Sequence, residues 1–372
     1  MASFRSMASK CPSTKGKKQI RGRLTLAFFL CTGLSGLAQA QWSLGFDAQQ
    51  QTGRGLISAR HWDSEKIDAN GPRTWNYLNA QAGGQWRHGD WSVVVHRSRQ
   101  VYFKGDANAL TLASENERTG SIDTSGWTSL QVKGQLSTLD ASEIKLARSW
   151  SALERGSLVI EPRITQIHSF QNTELDLAWL SDGSTSELKG RLQRVGTRVY
   201  GFDPNDRPDA GWGWGLNARG SVDLPWGLTS SFEAINLLSR LEFSNVHYSD
   251  RRYDIAGQDR KIVLRDTPSV SGRYGQQQNR QKLPMYWQIR GQWQGVPGLS
   301  LGWVGIDQFA DAQLSYAFRI PQGQARVETI GLHNATLALS WQPTPKLALA
   351  MAVTTYKWKN PEWSNLSLRL SF

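Results

Sequence analysis

Residues 365–372 read Asn-Leu-Ser-Leu-Arg-Leu-Ser-Phe. Leu366, Leu368, Leu370 and Phe372 fall on one side of an extended chain, and Asn365, Ser367, Arg369 and Ser371 on the other. Side chains alternate at period two in a strand and near 3.6 in a helix, so this stretch predicts a strand with one greasy and one wet face. The same alternation recurs upstream. In 78–87, Leu78, Ala80, Ala82, Gly84 and Trp86 oppose Asn79, Gln81, Gly83, Gln85 and Arg87. In 128–136, Thr128, Leu130, Val132, Gly134 and Leu136 oppose Ser129, Gln131, Lys133 and Gln135. In 286–294, Trp287, Ile289, Gly291 and Trp293 oppose Tyr286, Gln288, Arg290, Gln292 and Gln294.

Short connectors rich in Gly, Pro and Asp separate such segments, at 87–90, 138–141, 224–227, 295–298 and 342–346. Their composition is turn chemistry. Longer polar stretches lie between them, at about 51–72, 104–124, 203–210 and 241–282. Short turns alternating with long loops are the asymmetry of a transmembrane barrel. Tryptophans mark two levels. Trp42, Trp86, Trp91, Trp226, Trp293 and Trp341 sit beside a strand start or a short connector, while Trp75, Trp214 and Trp358 lie about 11–12 residues along the strands. Eleven residues at about 3.3 Å, tilted by about 40°, rise roughly 28 Å, close to the ~25 Å apolar band between aromatic girdles. Trp75 has the opposite parity to Trp86, which requires a bulge or one inward-pointing ring.

The 372-residue chain carries 43 basic and 31 acidic residues, a formal charge of +12. Seven bases and no acid lie in residues 1–40, and without them 36 bases face 31 acids. The basicity belongs mainly to this leader, so no nucleic-acid partner is expected. Residues 24–37 form an apolar run, and Ala38-Gln39-Ala40 supplies a small-x-small pattern. This order predicts a signal peptide over 1–40 and a mature domain over 41–372. The run is shorter than the ~20 apolar residues of a membrane-spanning helix. Cys11 and Cys31 are the only cysteines, which excludes disulfides and cysteine chemistry after residue 40.

A final amphipathic strand ending on Phe372 resembles the recognition signal of Gram-negative outer-membrane β-barrels, carried by Leu366, Leu368, Leu370 and Phe372. That resemblance implies the cell outer membrane, with its lipid and lipopolysaccharide as surroundings and the barrel-assembly machinery as a transient partner. The predicted fold is all-β: a closed antiparallel transmembrane β-barrel of about 14 strands, with 16 or 12 as alternatives, since single-chain bacterial barrels have even counts. A secreted β-sandwich or propeller would also alternate, but soluble sheets bury one apolar face against another. Here the second face is rich in Gln and charge.

Face assignment places Arg87, Lys133, Lys145, Lys189, Arg191, Arg290 and Arg369 in the lumen, with Glu143 and Glu187. Such a wall favours water and, weakly, anions. At about 14 strands side chains alone are not expected to fill the interior. The expected function is porin-like passage of small polar or anionic solutes. The alternative is a non-conducting barrel that assists assembly or export or presents surface loops. Arg251, Arg252, Arg260, Lys261, Arg265 and Arg273, in the non-periodic stretch 241–282, motivate that alternative. Asp203, Asp206 and Asp209 share a proline-containing loop that reads as an ordinary turn. No metal or cofactor is expected. A lipid-hydrolysing barrel would need a Ser oriented by a His, and no catalytic motif accompanies His61, His88, His96, His168, His247 or His333. Nothing in the sequence marks a subunit interface, so it leaves the oligomeric state open.

Overall fold

The computed structural model describes residues 41–52, 73–106, 122–123, 129–153, 155–181, 186–197, 211–257, 261–262, 270–331, 334–356 and 359–371. The expected signal peptide lies outside these residues. Fourteen staves run in chain order: β1 (Gln41–Thr52), β2 (Arg73–His88), β3 (Trp91–Asp106), β4 (Ser129–Leu153), β5 (Gly156–Ser181), β6 (Ser186–Gly196, resuming at Trp212–Leu224), β7 (Leu228–Gly257), β8 (Val270–Gln281, resuming at Tyr286–Trp293), β9 (Leu299–Ile306), β10 (Phe309–Ile320), β11 (Gly323–Ile330), β12 (Asn334–Thr344), β13 (Leu347–Tyr356) and β14 (Lys359–Ser371). Each pairs antiparallel with its chain neighbour. The last stave returns to the first, with Leu44 opposite Leu370 and Phe46 opposite Leu368, so the sheet is a closed 14-stranded barrel.

Closure follows from the faces. Trp42, Leu44 and Phe46 on β1 and Leu366, Leu368 and Leu370 on β14 are exposed on the outside of the seam. Leu301, Trp303, Leu314, Tyr316 and Phe318 continue this exposed apolar belt on β9 and β10. An apolar surface of this extent needs lipid around it. A bilayer supplies no partner for free N–H and C=O groups, so the edges must meet. Trp42, Trp91, Trp226, Trp293 and Trp341 are exposed at the end of the barrel where the short turns lie, as the girdle reading requires. At one of these turns Gly298 has φ +91°, and an added Cβ would lie 1.9 Å from the Ala317 carbonyl oxygen, so no other residue fits.

Besides the connectors and loops above, alternation marks 157–168, 174–181, 185–202, 211–223 and 326–341 as separate strands, and five expectations are corrected. Residues 138–141 are no turn: β4 runs through them with a bulge at Asp140/Ala141. Segments 157–168 and 174–181 are one strand, β5, while 185–202 and 211–223 are two lengths of one stave, β6. The stretch 326–341 is two strands, β11 and β12, turning at Gly331. The stretch 241–282 is mainly strand: β7 continues to Gly257 and β8 begins at Val270. Its alternation fades because these lengths lie beyond the apolar belt, where neither face is constrained to be greasy. Trp75 points inward, buried, and donates from Nε1 to Asp311 Oδ2 at 2.9 Å.

Candidate functional site

The lumen has three levels. At the turn end a cavity of about 710 Å³ is lined by Ser43, Asp47, Gln81, Gln85, His96 and Arg369, among others. Arg369 Nη2 donates to Gln85 Oε1 at 3.1 Å, and Arg87 lies exposed at this mouth. Deeper in, a cavity of about 200 Å³ is bordered by Asn79, Lys145, Glu161, Arg219 and Glu233. These polar linings arise because alternate residues of every strand must point inward.

The middle level is a septum. Tyr77 on β2, Tyr102 on β3 and Tyr286 on β8 are fully buried and stacked, with ring centroids 5.1 and 4.6 Å apart. Leu139, Ile167, Leu241, Phe243, Leu283 and Ile306 pack in the same buried cluster. These staves come from opposite walls, so the barrel is pressed together here. The turn between β9 and β10 helps to close it. Asp307 is ion-paired with Lys104 on β3, its Oδ1 accepts from the Met285 N–H at 2.9 Å, and its carbonyl accepts from Trp287 Nε1 at 2.8 Å. Asn236 joins the walls. It has φ +59°, a left-handed conformation that Asn tolerates better than most residues, at a bulge of β7. Its Nδ2 donates to Tyr102 Oη at 2.7 Å and to the Pro284 carbonyl at 3.0 Å, and its Oδ1 accepts from Arg163 Nη2.

Glu143 beneath the tyrosines is completely buried. Its Oε1 accepts from Ser98 Oγ at 2.7 Å and Gln100 Nε2 at 3.1 Å. Its Oε2 faces Arg163 Nη1 at 3.4 Å, His96 Nε2 at 3.4 Å and Lys145 Nζ at 3.8 Å. A buried carboxylate needs this density of donors and counter-charge.

At the loop end a cavity of about 1160 Å³ is lined by Lys133, Glu174, Asp176, Lys189 and Arg191, with Phe309 at its side. Lys133 Nζ lies 3.1 Å from Asp176, and Lys189 pairs with Glu187. Arg191 grips Asp250 through two bonds of 2.7 and 2.6 Å. That guanidinium holds the Asp250 carboxyl below the usual carboxylate range.

All nine charged candidates thus lie on the lumen face, but at three levels rather than in one ring. Arg87 and Arg369 are at the turn end, Lys145, Glu143 and Arg290 in the middle, and Lys133, Lys189, Arg191 and Glu187 at the loop end. Several are neutralised: Lys145 lies 3.5 Å from Glu161, and Arg290 lies 3.4 Å from Glu328. The basic stretch does not gather. Arg251 and Arg252 are consecutive on β7 and so point to opposite faces, and Arg273 on β8 is the register partner of Asp250. Lys261 belongs to a two-residue strand paired with Ile122–Asp123, while Arg260 and Arg265 lie outside the described residues. Leu366, Leu368 and Leu370 are on the outer face; Phe372 and the loop of Asp203, Asp206 and Asp209 lie outside the described residues. Among the described residues no group of three or more His, Cys, Asp or Glu is arranged to hold a metal ion. Sequence reasoning missed Asn236, Asp307 and the tyrosine stack, whose partners are all distant in sequence; only the parity of Trp75 hinted at an inward aromatic layer.

No protein-family model and no curated protein matches the chain. Among solved structures it is similar to the TodX monoaromatic hydrocarbon channel carrying the deltaS2S3 mutation, with 9% identity over 89% of each chain and a TM-score of 0.41. It is also similar to the toluene transporter TbuX of Ralstonia pickettii, with 8% identity, 89% of this chain and 88% of that one covered, and a TM-score of 0.37. CdiB from Escherichia coli follows at 10% identity and a TM-score of 0.21, with 90% of this chain and 63% of that one covered. The barrel assignment rests on the chain's own pairing and closure, not on these likenesses.

Proposed function

We propose that this barrel is an outer-membrane channel for small polar solutes, exported through a signal peptide and closed at rest by its tyrosine septum. One observation carries the reading: two cavities with polar and charged groups in their walls, at the turn and loop ends of the lumen, are separated by a layer of side chains. A barrel with a purely structural role has no need of wet chambers on both sides of a seal. The turn end faces the periplasm and the loop end the exterior, as in barrels of this kind. The pairing of Lys133, Lys145, Lys189, Arg191 and Arg290 with carboxylates favours neutral polar solutes, and the cations retain a mild preference for small anions over cations. No chemistry on the cargo is required of this lumen. Lipopolysaccharide surrounds the belt, and the assembly machinery reads the final strand.

Single-channel conductance in planar bilayers tests this. The wild-type barrel is expected to be mostly closed, while Tyr286→Ala and Asn236→Ala, which thin the septum and untie it, raise the open probability at least several-fold. Barrels that stay silent in both variants, although folded, overturn the channel reading. The non-conducting alternative would then hold, with the tall loop-end wall presenting surface loops.

A further inference from the structure

Around most of the barrel the outer belt is unbroken. On β10, Ala310, Ala312, Leu314, Tyr316 and Phe318 alternate outward over the height of the stave. On β3, β4 and β5 it is interrupted. Val93, Val95, Ile144, Leu146 and Ile164 form its lower part, above a rim where the Arg148 guanidinium lies 5.0 Å from the Trp91 ring. The next outward positions are Arg97, Arg99, Asp140, Ser142 and His168. Arg97 lies only six residues beyond Trp91. Six residues at about 3.3 Å and a tilt of about 40° place it roughly 15 Å above the girdle, inside an apolar band of ~25 Å. Charged and hydrogen-bonding groups on a lipid-facing wall are costly, and where they persist they mark a site.

The geometry here is reactive. Ser142 Oγ and His168 Nε2 are 2.7 Å apart, on neighbouring staves, and His168 is exposed on the outer face. A bulge sets His168 and Ser169 of β5 against Asp140 alone, between the register pairs Ala141/Ile167 and Asp140/Ser169. Asp140 shares this face and is the register partner of Ser169, the residue next to His168. Arg97 holds Asp140 through Nε at 3.0 Å and Nη2 at 2.9 Å, while the Arg97 side chain remains 63% exposed. Arg99, two positions along, is a second exposed cation. A hydroxyl bonded to an imidazole, with a carboxylate nearby, is the arrangement that activates serine as a nucleophile. At about 15 Å above the girdle the pair lies roughly 10 Å below the loop-end edge of the ~25 Å band, so a lipid ester meets it where the bilayer thins around these polar groups.

We propose that Ser142 and His168 form an acyl-ester hydrolase site on the outside of the barrel, acting on ester-linked acyl chains of phosphate-bearing membrane lipids. Ser142 Oγ attacks the ester carbonyl carbon while His168 Nε2 takes the hydroxyl proton. The tetrahedral intermediate collapses, the alkoxide leaves with the proton from His168, and an acyl-Ser142 ester remains. Water, deprotonated by His168, then attacks the acyl carbon, releases the fatty acid and restores the hydroxyl. The Asp140 carboxylate steadies the imidazolium. Arg97 and Arg99 face the lipid phosphate and the oxygen on which negative charge develops. This site is independent of the lumen.

The test uses the full barrel in vesicles of phosphatidylethanolamine and phosphatidylglycerol. Two signals are read: free fatty acid, and covalent labelling by a fluorophosphonate probe mapped by mass spectrometry. Wild type is expected to release fatty acid and carry the label on Ser142. Ser142→Ala and His168→Gln should lower release by at least about 100-fold, as loss of a nucleophile or its base does. Both variants should keep the wild-type conductance and the heat-dependent gel mobility of a folded barrel, so a failure here is separate from a failure of the channel reading. Wild-type protein that is neither labelled nor active overturns the proposal, as does release that survives undiminished in both variants. Labelling of wild type alone sustains it even if a variant does not fold.

Discussion

The wall of this barrel is low on one side and tall on the other. Strands β9 and β11 have eight residues each, just short of the ~9–11 that a bilayer-spanning strand needs, whereas β5 has 26 and β7 has 30. On the low side the outward residues are greasy to the top: Leu301, Trp303, Leu314 and Val327 are all exposed. On the tall side the outward face turns polar, with Glu242, Gln278 and Arg280 exposed. The low wall bends inward at its upper turn, where Asp307 reaches the opposite stave. The tall wall stands clear and forms the charged loop-end chamber. Lipid dictates residue type along a strand only as far as lipid extends; beyond it, backbone pairing alone keeps the strand going.

The largest break in this comparison is expected where the walls meet. Glu143→Leu removes the buried counter-charge of Arg163 and Lys145 and should destabilise the barrel by about 3–5 kcal/mol. Denaturant unfolding followed by gel mobility measures it, and a loss below about 1 kcal/mol would mean that water, not protein, solvates Glu143. A contrast between the walls comes next. Leu314→Arg on the low wall should cost about 2–4 kcal/mol, because the charge enters hydrocarbon, while Gln278→Arg on the tall wall should stay within about 0.5 kcal/mol. Equal costs would remove the distinction between a wall in lipid and a wall in water.

The smallest effect lies at the loop end. The Asp250 carboxyl titrates lower in the folded barrel than in the unfolded chain, because Arg191 bonds to its charged form. The stabilisation is therefore present above the unfolded carboxylate range and is lost as pH falls through the folded value. Arg191→Gln should flatten this dependence below about pH 4: the variant is slightly less stable than wild type at neutral pH, and the difference vanishes in acid. Unfolding midpoints of wild type and variant along an acid series give the comparison.

Particular residues show why some of this was legible in advance. Leu366, Leu368 and Leu370 announced their face because every second position must satisfy lipid, and Arg290 and Arg369 fell inward by the same parity. Thr138-Leu139-Asp140-Ala141 misled because its residues suit a turn. Leu139 and Ala141 are instead buried in the lumen cluster, and Asp140 is held by Arg97 from another strand. The stretch 241–282 misled because loss of alternation looks the same in a loop and in a strand wetted on both sides. Ser142 and His168 could not be seen as a pair, since 26 residues separate them and only the register of β4 against β5 brings them together.

Sequence alone determined the strand character, the two faces and the even, closed sheet, because each follows from a local rule: alternate residues face alternate solvents, and lipid tolerates no open edge. Only the tertiary structure decided that the lumen is shut, that its charges are paired across levels, and that a serine and a histidine meet on the outside. Those depend on how far opposite walls approach and on where bulges shift the register. Both are set by contacts between residues tens to hundreds of positions apart, which no local pattern encodes.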